Sequence, residues 1–259
     1  MPVPGQRHVG TAGWAIPAQC RDRLPGSGSQ LQRYAEGLNA AEINSSFHRH
    51  HKLQTYARWA ASVPQDFRFA VKMPRALSHA GELLPAARGA AGEEVLERFL
   101  SEVGGLGEKL AVLLLQLPPK LAFNESSAAT FFSVLRKRTH VAVACEPRHP
   151  SWGSPAAESL LSHHAVARVA ADPARWPGAD EPGGAGDLAY FRWHGQPRMY
   201  YSDYDAQQLA DLHRRAVRVR ERASDVWIIF DNTVLGYALR NALTLSETMQ
   251  LEAQRTAQR

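Results

Sequence analysis

Eight short apolar runs that each end in a polar or ionisable residue constrain this fold more than any other feature. They occupy residues 8–11, 41–44, 69–72, 112–116, 141–146, 166–172, 190–194 and 226–232. Because successive side chains of a strand point to opposite faces, each run is typical of a buried strand with one polar face at its end. Consecutive runs are separated by enough chain for a helix and two short loops. We therefore predict an α/β fold, a single TIM-like (β/α)8 barrel with parallel strands and outer helices.

The predicted barrel uses the whole chain, residues 1–259, as one domain, with residues 1–7 as a flexible N-terminus and 246–259 as a helical or frayed tail. Amphipathic spacing predicts helices at 53–63, 93–103, 128–136 and 207–222. The Pro- and Gly-rich stretch 173–186 predicts irregular structure after the sixth strand. It is either a lid over the barrel opening or a surface loop that replaces a helix.

Composition excludes several classes of protein. A chain that is 44% hydrophobic and 21% charged is neither disordered nor fibrous. No apolar run approaches the roughly 18 residues of a membrane span, and the N-terminus lacks a signal-peptide core, so no membrane partner is expected. With only Cys20 and Cys145, no disulfide framework is indicated, and Cys145 is expected to be a small core residue. These features fit a cytoplasmic protein.

The net charge of +5 raises nucleic acid as an alternative partner. The basic excess is concentrated at residues 136–138 and 214–222, on predicted helices or their ends. We favour solvated helix faces, because no recognised nucleic-acid-binding module accompanies these segments. The sequence carries no indication of the oligomeric state.

Ionisable residues at or near the strand ends are expected to face inward at the barrel opening: Glu42, Lys72, Glu146, Asp172, Arg192 and His194. A buried unpaired charge costs several kcal/mol, so such a set indicates either a functional site or a self-neutralising salt-bridge lattice. Arg68 and Arg168, deeper in the strands, are predicted to form structural ion pairs. The opposite strand faces should pack under the helices through Ile43, Phe69, Val71, Leu113, Leu115, Val169, Phe191 and Trp193.

Polar and aromatic residues at the strand ends or in the loops that follow them complete the candidate binding site: Thr11, Trp14, Asn44, Gln116, Arg148, His149, Trp152 and Asn232. The histidines at positions 48, 50 and 51 lack the spacing of a zinc site and are interpreted as a surface tract. No Gly-rich phosphate loop or nucleophile elbow occurs, so no cofactor is predicted. A divalent metal held by Glu42, Glu146, Asp172 and His194 stays an alternative.

Motifs in a fixed order resemble the YecE-like family, domain of unknown function 72. They lie at residues 10–14, 42–47, 69–72, 116–119, 146–152, 192–195 and 230–233. The resemblance implies a TIM-like barrel and supplies no reaction, because the activity of that family is unassigned. This chain has Ala12 where the family usually has Ser and His48 where it usually has Tyr, and the aromatic stretch after Trp14 is reduced.

Two functions from different classes follow from this set. The first is a hydrolase or isomerase that acts on a small anionic, phosphorylated or sugar-like substrate. Catalytic roles are expected for Glu42, Lys72, Glu146 and His194. In that enzyme Glu146 or Glu42 is the general base and His194 or His149 the acid. Lys72, Arg192 and Arg148 hold the anion, and Trp14 and Trp152 form apolar walls. The second is a non-catalytic barrel that binds a metabolite or nucleic acid, which a cavity lined only by Lys and Arg would favour.

Overall fold

The computed structural model describes residues 6–79, 83 and 90–257. Residues 1–5 of the predicted flexible N-terminus lie outside the described residues, whereas residues 6 and 7 already belong to the first strand. The predicted C-terminal tail is helical as far as Ala257, and its last two residues lie outside the described part.

The order of elements alternates strands and helices along most of the chain. The strands are β1 (Gln6–Thr11), β2 (Ala40–Ile43), β3 (Arg68–Lys72), β4 (Leu110–Gln116), β5 (Ala142–Glu146), β6 (Val166–Arg168), β7 (Ala170–Asp172), β8 (Gly183–Gly184), β9 (Leu188–Trp193) and β10 (Asp225–Phe230). The α-helices are α1 (Gln30–Gly37), α2 (Leu53–Ala61), α3 (Ala90–Val103), α4 (Glu125–Arg136), α5 (Pro155–His163), α6 (Ala206–Val219) and α7 (Tyr237–Ala257). Short 3-10 helices span Ala18–Arg23, Ser45–Phe47, Arg75–Leu77, Gly104–Lys109 and Pro150–Gly153. The four helices predicted from spacing are confirmed, with ends shifted by a few residues.

The strands form two sheets, a four-stranded one in the order β1-β10-β9-β7 and a six-stranded one in the order β2-β3-β4-β5-β6-β8. All pairs are parallel except β6 with β8, which are antiparallel. An isolated bridge between Ala12 and Glu42 links β1 to β2. The prediction of a mixed α/β fold with parallel strands and outer helices is therefore confirmed, while the strand ladders themselves do not close into one continuous sheet.

The sixth predicted strand is divided at Val169. Its first part, β6, pairs with β5, and its second part, β7, pairs with β9 of the other sheet. The Val169 amide donates to the Cys145 carbonyl at 2.8 Å. One stretch of chain thus belongs to both sheets, and it brings their edges together.

Alternation along the strands produces two apolar layers. One layer contains small and aromatic residues from both sheets and lies between them: Ala40, Ala70, Val112, Leu114, Ala144, Ala167, Val169, Leu188, Tyr190, Trp227 and Ile229. We call it the inner layer. The other, larger layer joins the opposite strand faces to the helices and includes buried Cys145. Side chains that follow the inner layer toward the strand ends therefore meet in one place.

The predicted outward faces agree with the larger layer except at Val169, which belongs to the inner layer. In this strand the predicted assignment of inward and outward residues is reversed. Arg168 points outward and forms an ion pair with Glu158 of α5. Its predicted ion pair is thus confirmed, although on the other side of the sheet. Arg68 donates to the Gln65 and Phe67 carbonyls and pairs with no carboxylate among the described residues, so its predicted ion pair is wrong.

The stretch 173–186 packs on the outside of the sheets. Its β8 residues pair with the edge of β6, the Gly184 amide donates to Glu158, and Asp180 pairs with Arg215 of α6. These contacts favour the surface-loop interpretation over the lid. Within the described ranges, no helix combines the length and apolar character that a bilayer crossing requires.

Candidate functional site

Arg192 lies at the centre of a charged cluster at the carboxyl ends of the strands. Its Nη2 donates to Glu42 Oε1 at 2.8 Å, and its Nη1 donates to Glu146 Oε2 at 2.9 Å. Nη2 is also 2.9 Å from Asp231 Oδ2, and Tyr190 donates its hydroxyl to Glu42 at 2.8 Å. Arg192 and Glu42 are wholly buried. One guanidinium from β9 therefore binds carboxylates from both sheets.

His194 lies beside this guanidinium, between two carboxylates. Its Nδ1 is 3.0 Å from Asp231 Oδ2, and its Nε2 is 3.2 Å from Glu146 Oε1. Arg192 lies on β9, and His194 directly follows the end of that strand. Because the two residues are two positions apart, the period of the extended chain turns both toward the same space. Both ring nitrogens are thus engaged within the cluster.

The outer edge of the cluster, which we call the rim, consists of Lys72, Gln116, Arg148, Tyr200 and Phe47. Gln116 Oε1 accepts hydrogen bonds from Lys72 Nζ at 2.7 Å and from Arg148 Nη2 at 3.2 Å. Arg148 also donates to Glu146 at 2.9 Å and to the Tyr200 hydroxyl at 3.2 Å. The Lys72 ammonium lies 4.3 Å from the centre of the Phe47 ring. The charged residues of the rim are therefore cationic, and they are more exposed than the carboxylates of Glu42 and Glu146.

The pKa values separate the buried cluster from the rim. Burial alone would raise the pKa of Glu146, but Arg148, Arg192 and His194 hold it well below its ordinary value. Burial lowers the pKa of Lys72, Arg192 lowers it further, and the carboxylates offset part of the shift, so that it falls to about 8. Lys72 is thus a buried amine with a pKa lowered to about 8, close to Glu146, whose pKa is held low.

This geometry decides what each group can do chemically. Each oxygen of Glu42 and Glu146 accepts at least one hydrogen bond from Arg192, Tyr190, Arg148 or His194. These carboxylates have little capacity left for a substrate, and the same applies to Arg192. Lys72 is 8% exposed and donates to a single acceptor among the described residues.

Five of the six ionisable residues predicted to converge do so, and Asp172 does not. Its carboxylate accepts hydrogen bonds from the Tyr204 hydroxyl and from Gln196 Nε2, on the outer side of β7. Burial raises the pKa of Asp172. In this strand the residues that face inward are the alternate ones to those predicted, so Asp172 points away from the inner layer.

Several predicted binding residues are engaged in local structure instead. Thr11 donates to the Gly13 carbonyl and to the Tyr34 hydroxyl. His149 hydrogen-bonds with Ser151 of its own turn. Trp14 packs edge-on against Trp59 and Phe69, and Trp152 is buried against Phe123 and donates to the Leu121 carbonyl. No contact among the described residues joins these four to the rim.

Asn44 and Asn232 follow β2 and β10 at the same end of the strands. Asn232 donates to the Ser202 carbonyl and to Asn241, so it holds the loop after β9 against α7. The side-chain oxygens of both asparagines are buried and accept no hydrogen bond within the described residues. Among the described residues, no hydrogen bond joins either side chain to Lys72 or Arg148.

Sequence reasoning omitted Tyr190, Asp231, Tyr200, Phe47 and His79 from the candidate site. Period-two counting from Arg192 and Trp227 could have found Tyr190 and Asp231, because both share the inward face of their strands. Tyr200, Phe47 and His79 lie in connections, where no period applies. His79 packs edge-on against Phe47. Its pKa is lowered mainly by burial, and further by the positive charges of Lys72, Arg75 and Arg148.

Several residues of the charged tracts elsewhere have partners of their own. His51 hydrogen-bonds with Ser45, and His50 pairs with Glu102. Arg136 donates to three backbone carbonyls, while Arg138 pairs with Glu93 and Glu97. In the second basic tract Arg214 and Arg215 pair with aspartates. In the described part of the chain, no three His, Cys, Asp or Glu side chains are arranged to hold a metal ion.

Comparison with known proteins gives one consistent relationship. Residues 8–259 match the profile of a family described as protein of unknown function DUF72. The UPF0759 protein YunF of Bacillus subtilis (strain 168) is 22% identical over 95% of both chains. The UPF0759 protein YecE of Escherichia coli (strain K12) is 26% identical over 48% of this chain and 42% of its own.

Solved structures agree in fold. The crystal structure of a DUF72 family protein from Enterococcus faecalis V583 has a TM-score of 0.78 at 22% identity, covering 95% of this chain and 96% of its own. A DUF72 family protein from Thermotoga maritima MSB8 has a TM-score of 0.77 at 24% identity, covering 94% and 99%. At this level of identity the likeness concerns the fold alone.

Proposed function

The chain belongs to the DUF72 family, and we propose that it is an acid–base enzyme, of hydrolase or isomerase type, acting on a small anionic substrate at the rim. Lys72 transfers the proton, and Arg148 binds the anionic group. The observation that carries the proposal is the state of Lys72, whose buried amine has one hydrogen-bond acceptor and a pKa lowered to about 8. A general base or acid is most effective when its pKa lies near the working pH.

The buried carboxylates take a positioning role in this proposal. Glu146 holds Arg148 through Nε, and Gln116 holds both Lys72 and Arg148 through one oxygen. A rigid guanidinium binds a carboxylate or phosphate group more selectively than a mobile one. The Glu42–Arg192–Glu146–Asp231 lattice thus orients the rim, and the rim contacts the substrate.

We also propose that the two sheets form one barrel, in a single domain. The divided strand at Val169, the bridge from Ala12 to Glu42 and the contacts of Arg192 with both sheets support this. In such a barrel the active site lies at the carboxyl ends of the strands, which is where the rim lies. A crystal structure with β1 and β2 separated along their length would contradict the proposal.

The test works without an identified substrate. The protein is incubated with a mixture of small phosphates, carboxylates and sugars in D₂O and, separately, in H₂¹⁸O. Mass spectrometry then follows label uptake, deuterium for proton transfer and ¹⁸O for hydrolysis. We expect at least one anionic compound to gain label, at a rate that falls roughly 100-fold or more in Lys72→Met. Lys120→Met, which removes an exposed lysine, is the matched control.

One observation favours a second candidate, a non-catalytic anion-binding protein. The rim cations Lys72 and Arg148 lie outermost, and the carboxylates of Glu42 and Glu146 are sealed behind them. A compound that raises the melting temperature in an Arg148-dependent manner, without label uptake by any compound, supports this candidate and contradicts the enzyme.

A further inference from the structure

Lys72 differs from Arg192, the central cation of the cluster, in its remaining hydrogen-bonding capacity. Arg192 donates to Glu42 and Glu146 and pairs with Asp231, whereas Lys72 Nζ donates to Gln116 alone among the described residues. The Phe47 ring occupies another side of the amine. The rest of the nitrogen is therefore free to meet a bound molecule.

The surroundings of Lys72 also increase the neutral form of its amine. Burial, and then the charge of Arg192, lower its pKa from 10.5 to about 8. At pH 7 about one tenth of such an amine is unprotonated, compared with less than about one thousandth of an ordinary lysine. A neutral amine is a nucleophile, and an ammonium ion is not.

Arg148 supplies a second, independent contact for a substrate. Its Nε and Nη2 are held by Glu146, Gln116 and the Tyr200 hydroxyl, whereas its Nη1 has no partner among the described residues. Because Gln116 Oε1 accepts from both Lys72 and Arg148, the amine and the guanidinium lie on either side of one atom. A molecule with an anionic group and an electrophilic carbon can reach both.

We propose that Lys72 forms an imine with the carbonyl carbon of a small substrate that also carries a carboxylate or phosphate group bound by Arg148. This inference rests on the proposed function, since it assigns the substrate class of the same rim. It changes the role of Lys72 from proton transfer to covalent activation of the substrate, so another rim group carries the proton. It favours proton transfer or carbon–carbon bond cleavage next to a carbonyl over hydrolysis.

The bonding changes balance without an oxidant or a reductant. The lone pair of neutral Lys72 Nζ attacks the carbonyl carbon, and the C=O π electrons move to oxygen, which takes up a proton. After proton transfer from nitrogen to solvent and a second protonation of the hydroxyl, water leaves and the C=N⁺ bond forms. Overall one amine, one carbonyl and one proton give a protonated imine and one water. The Tyr200 hydroxyl, which accepts a hydrogen bond from Arg148, is the phenol of the rim and serves as the proton carrier in this proposal.

Reductive trapping tests the imine directly. The full chain is incubated with pyruvate, glyoxylate or dihydroxyacetone phosphate and sodium cyanoborohydride, and the intact mass is measured. The sequence contains five lysines, at positions 52, 72, 109, 120 and 137, so the other four are internal controls. An adduct on Lys72 blocks trypsin there, which joins residues 69–72 and 73–75 into one peptide. We expect at least tenfold more adduct on Lys72 than on any other lysine.

Two variants sharpen the result. Lys72→Arg should abolish the adduct, with its far-UV circular dichroism confirming that it is folded. Arg148→Met should reduce trapping of the anionic probes at least tenfold more than trapping of uncharged dihydroxyacetone. The wild-type peptide map does not depend on any variant, so misfolding of a variant does not prevent the test.

The outcomes separate the two proposals. Adducts spread over Lys52, Lys120 and Lys137 in proportion to their exposure overturn the imine. Label uptake in D₂O without an adduct on Lys72 also overturns the imine, and it leaves the acid–base enzyme standing. An adduct on Lys72 without label uptake by any compound supports the imine and contradicts the enzyme.

Discussion

Two regions of this molecule bury a lysine to a similar extent but give it different hydrogen-bond partners. Lys109, 9% exposed, precedes β4 at the amino ends of the strands and donates to the Ala60 and Val63 carbonyls at 2.7 Å each. Lys72, 8% exposed, ends β3 at the opposite ends and donates to one side chain. Lys109 satisfies backbone groups near the end of α2, which is a structural role. Burial alone therefore does not distinguish the two lysines, whereas their hydrogen-bond partners do.

The largest effect should come from removing the centre of the cluster behind Lys72. Arg192→Met removes the guanidinium that pairs with the buried carboxylates of Glu42, Glu146 and Asp231, and only Glu146 retains another arginine, Arg148. We expect the free energy of unfolding in urea to fall by about 3–5 kcal/mol. Arg198→Met is the control, because Arg198 is exposed and lies over the Tyr201 ring, and it should change stability by less than about 1 kcal/mol. Equal losses in both variants would mean that the cluster has no special role in stability.

The pH dependence of stability should show the next largest effect. The pKa of Lys72 is about 8 in the folded chain and 10.5 in its ordinary state. Between these values the unfolded chain binds more protons, so the contribution of Lys72 to stability rises with pH, by about 3 kcal/mol in total. Urea unfolding of the wild type and of Lys72→Met from pH 7 to pH 10.5 measures the difference between the two. Parallel curves would show that Lys72 titrates normally.

Exchanging each lysine for methionine compares the two regions directly. Lys109→Met leaves two backbone carbonyls without a donor, and we expect it to lose about 1–3 kcal/mol of stability. Lys72→Met removes a desolvated charge and keeps apolar contact with Phe47, so its stability at pH 7 should be unchanged or higher. Chemical denaturation of both variants at one pH is the measurement. The comparison fails if Lys72→Met is the less stable variant.

The smallest effect concerns the aromatic ring beside Lys72. Phe47→Leu removes a cation–π contact worth about 0.5–1 kcal/mol, which favours the charged amine. The pKa of Lys72 should therefore fall by a few tenths of a unit, as measured by competitive acetylation of each lysine against pH. Tyr237→Leu, which removes a ring beside Arg240, should leave it unchanged. A rise of the pKa in Phe47→Leu would contradict the assigned contact.

The family, the mixed α/β fold and the ends of most elements could be predicted from the sequence. Apolar residues recur every second position in a half-buried strand and about every 3.6 positions in an amphipathic helix. Both patterns can be read from short stretches of sequence. The candidate site was only partly predictable. Four predicted residues meet as expected: Lys72, Glu146, Arg192 and His194. Asp172 points outward instead. The run 166–172 is apolar on both faces, so its sequence does not show which alternate residues face inward. Tyr200 and Phe47 reach the rim from connections, whose path depends on long-range packing.

Alternation along each strand is a local property, so the amino-acid sequence already places ionisable residues of distant strands toward one space. Tertiary structure alone decided which of them are saturated and which retain free donors. Arg192 and Lys72 both face inward near the carboxyl ends of their strands. Arg192 pairs with three carboxylates, whereas Lys72 contacts Gln116 and the Phe47 ring. The physical reason is that a pKa and a hydrogen-bond count depend on neighbours brought together across the fold, and no local pattern records those neighbours.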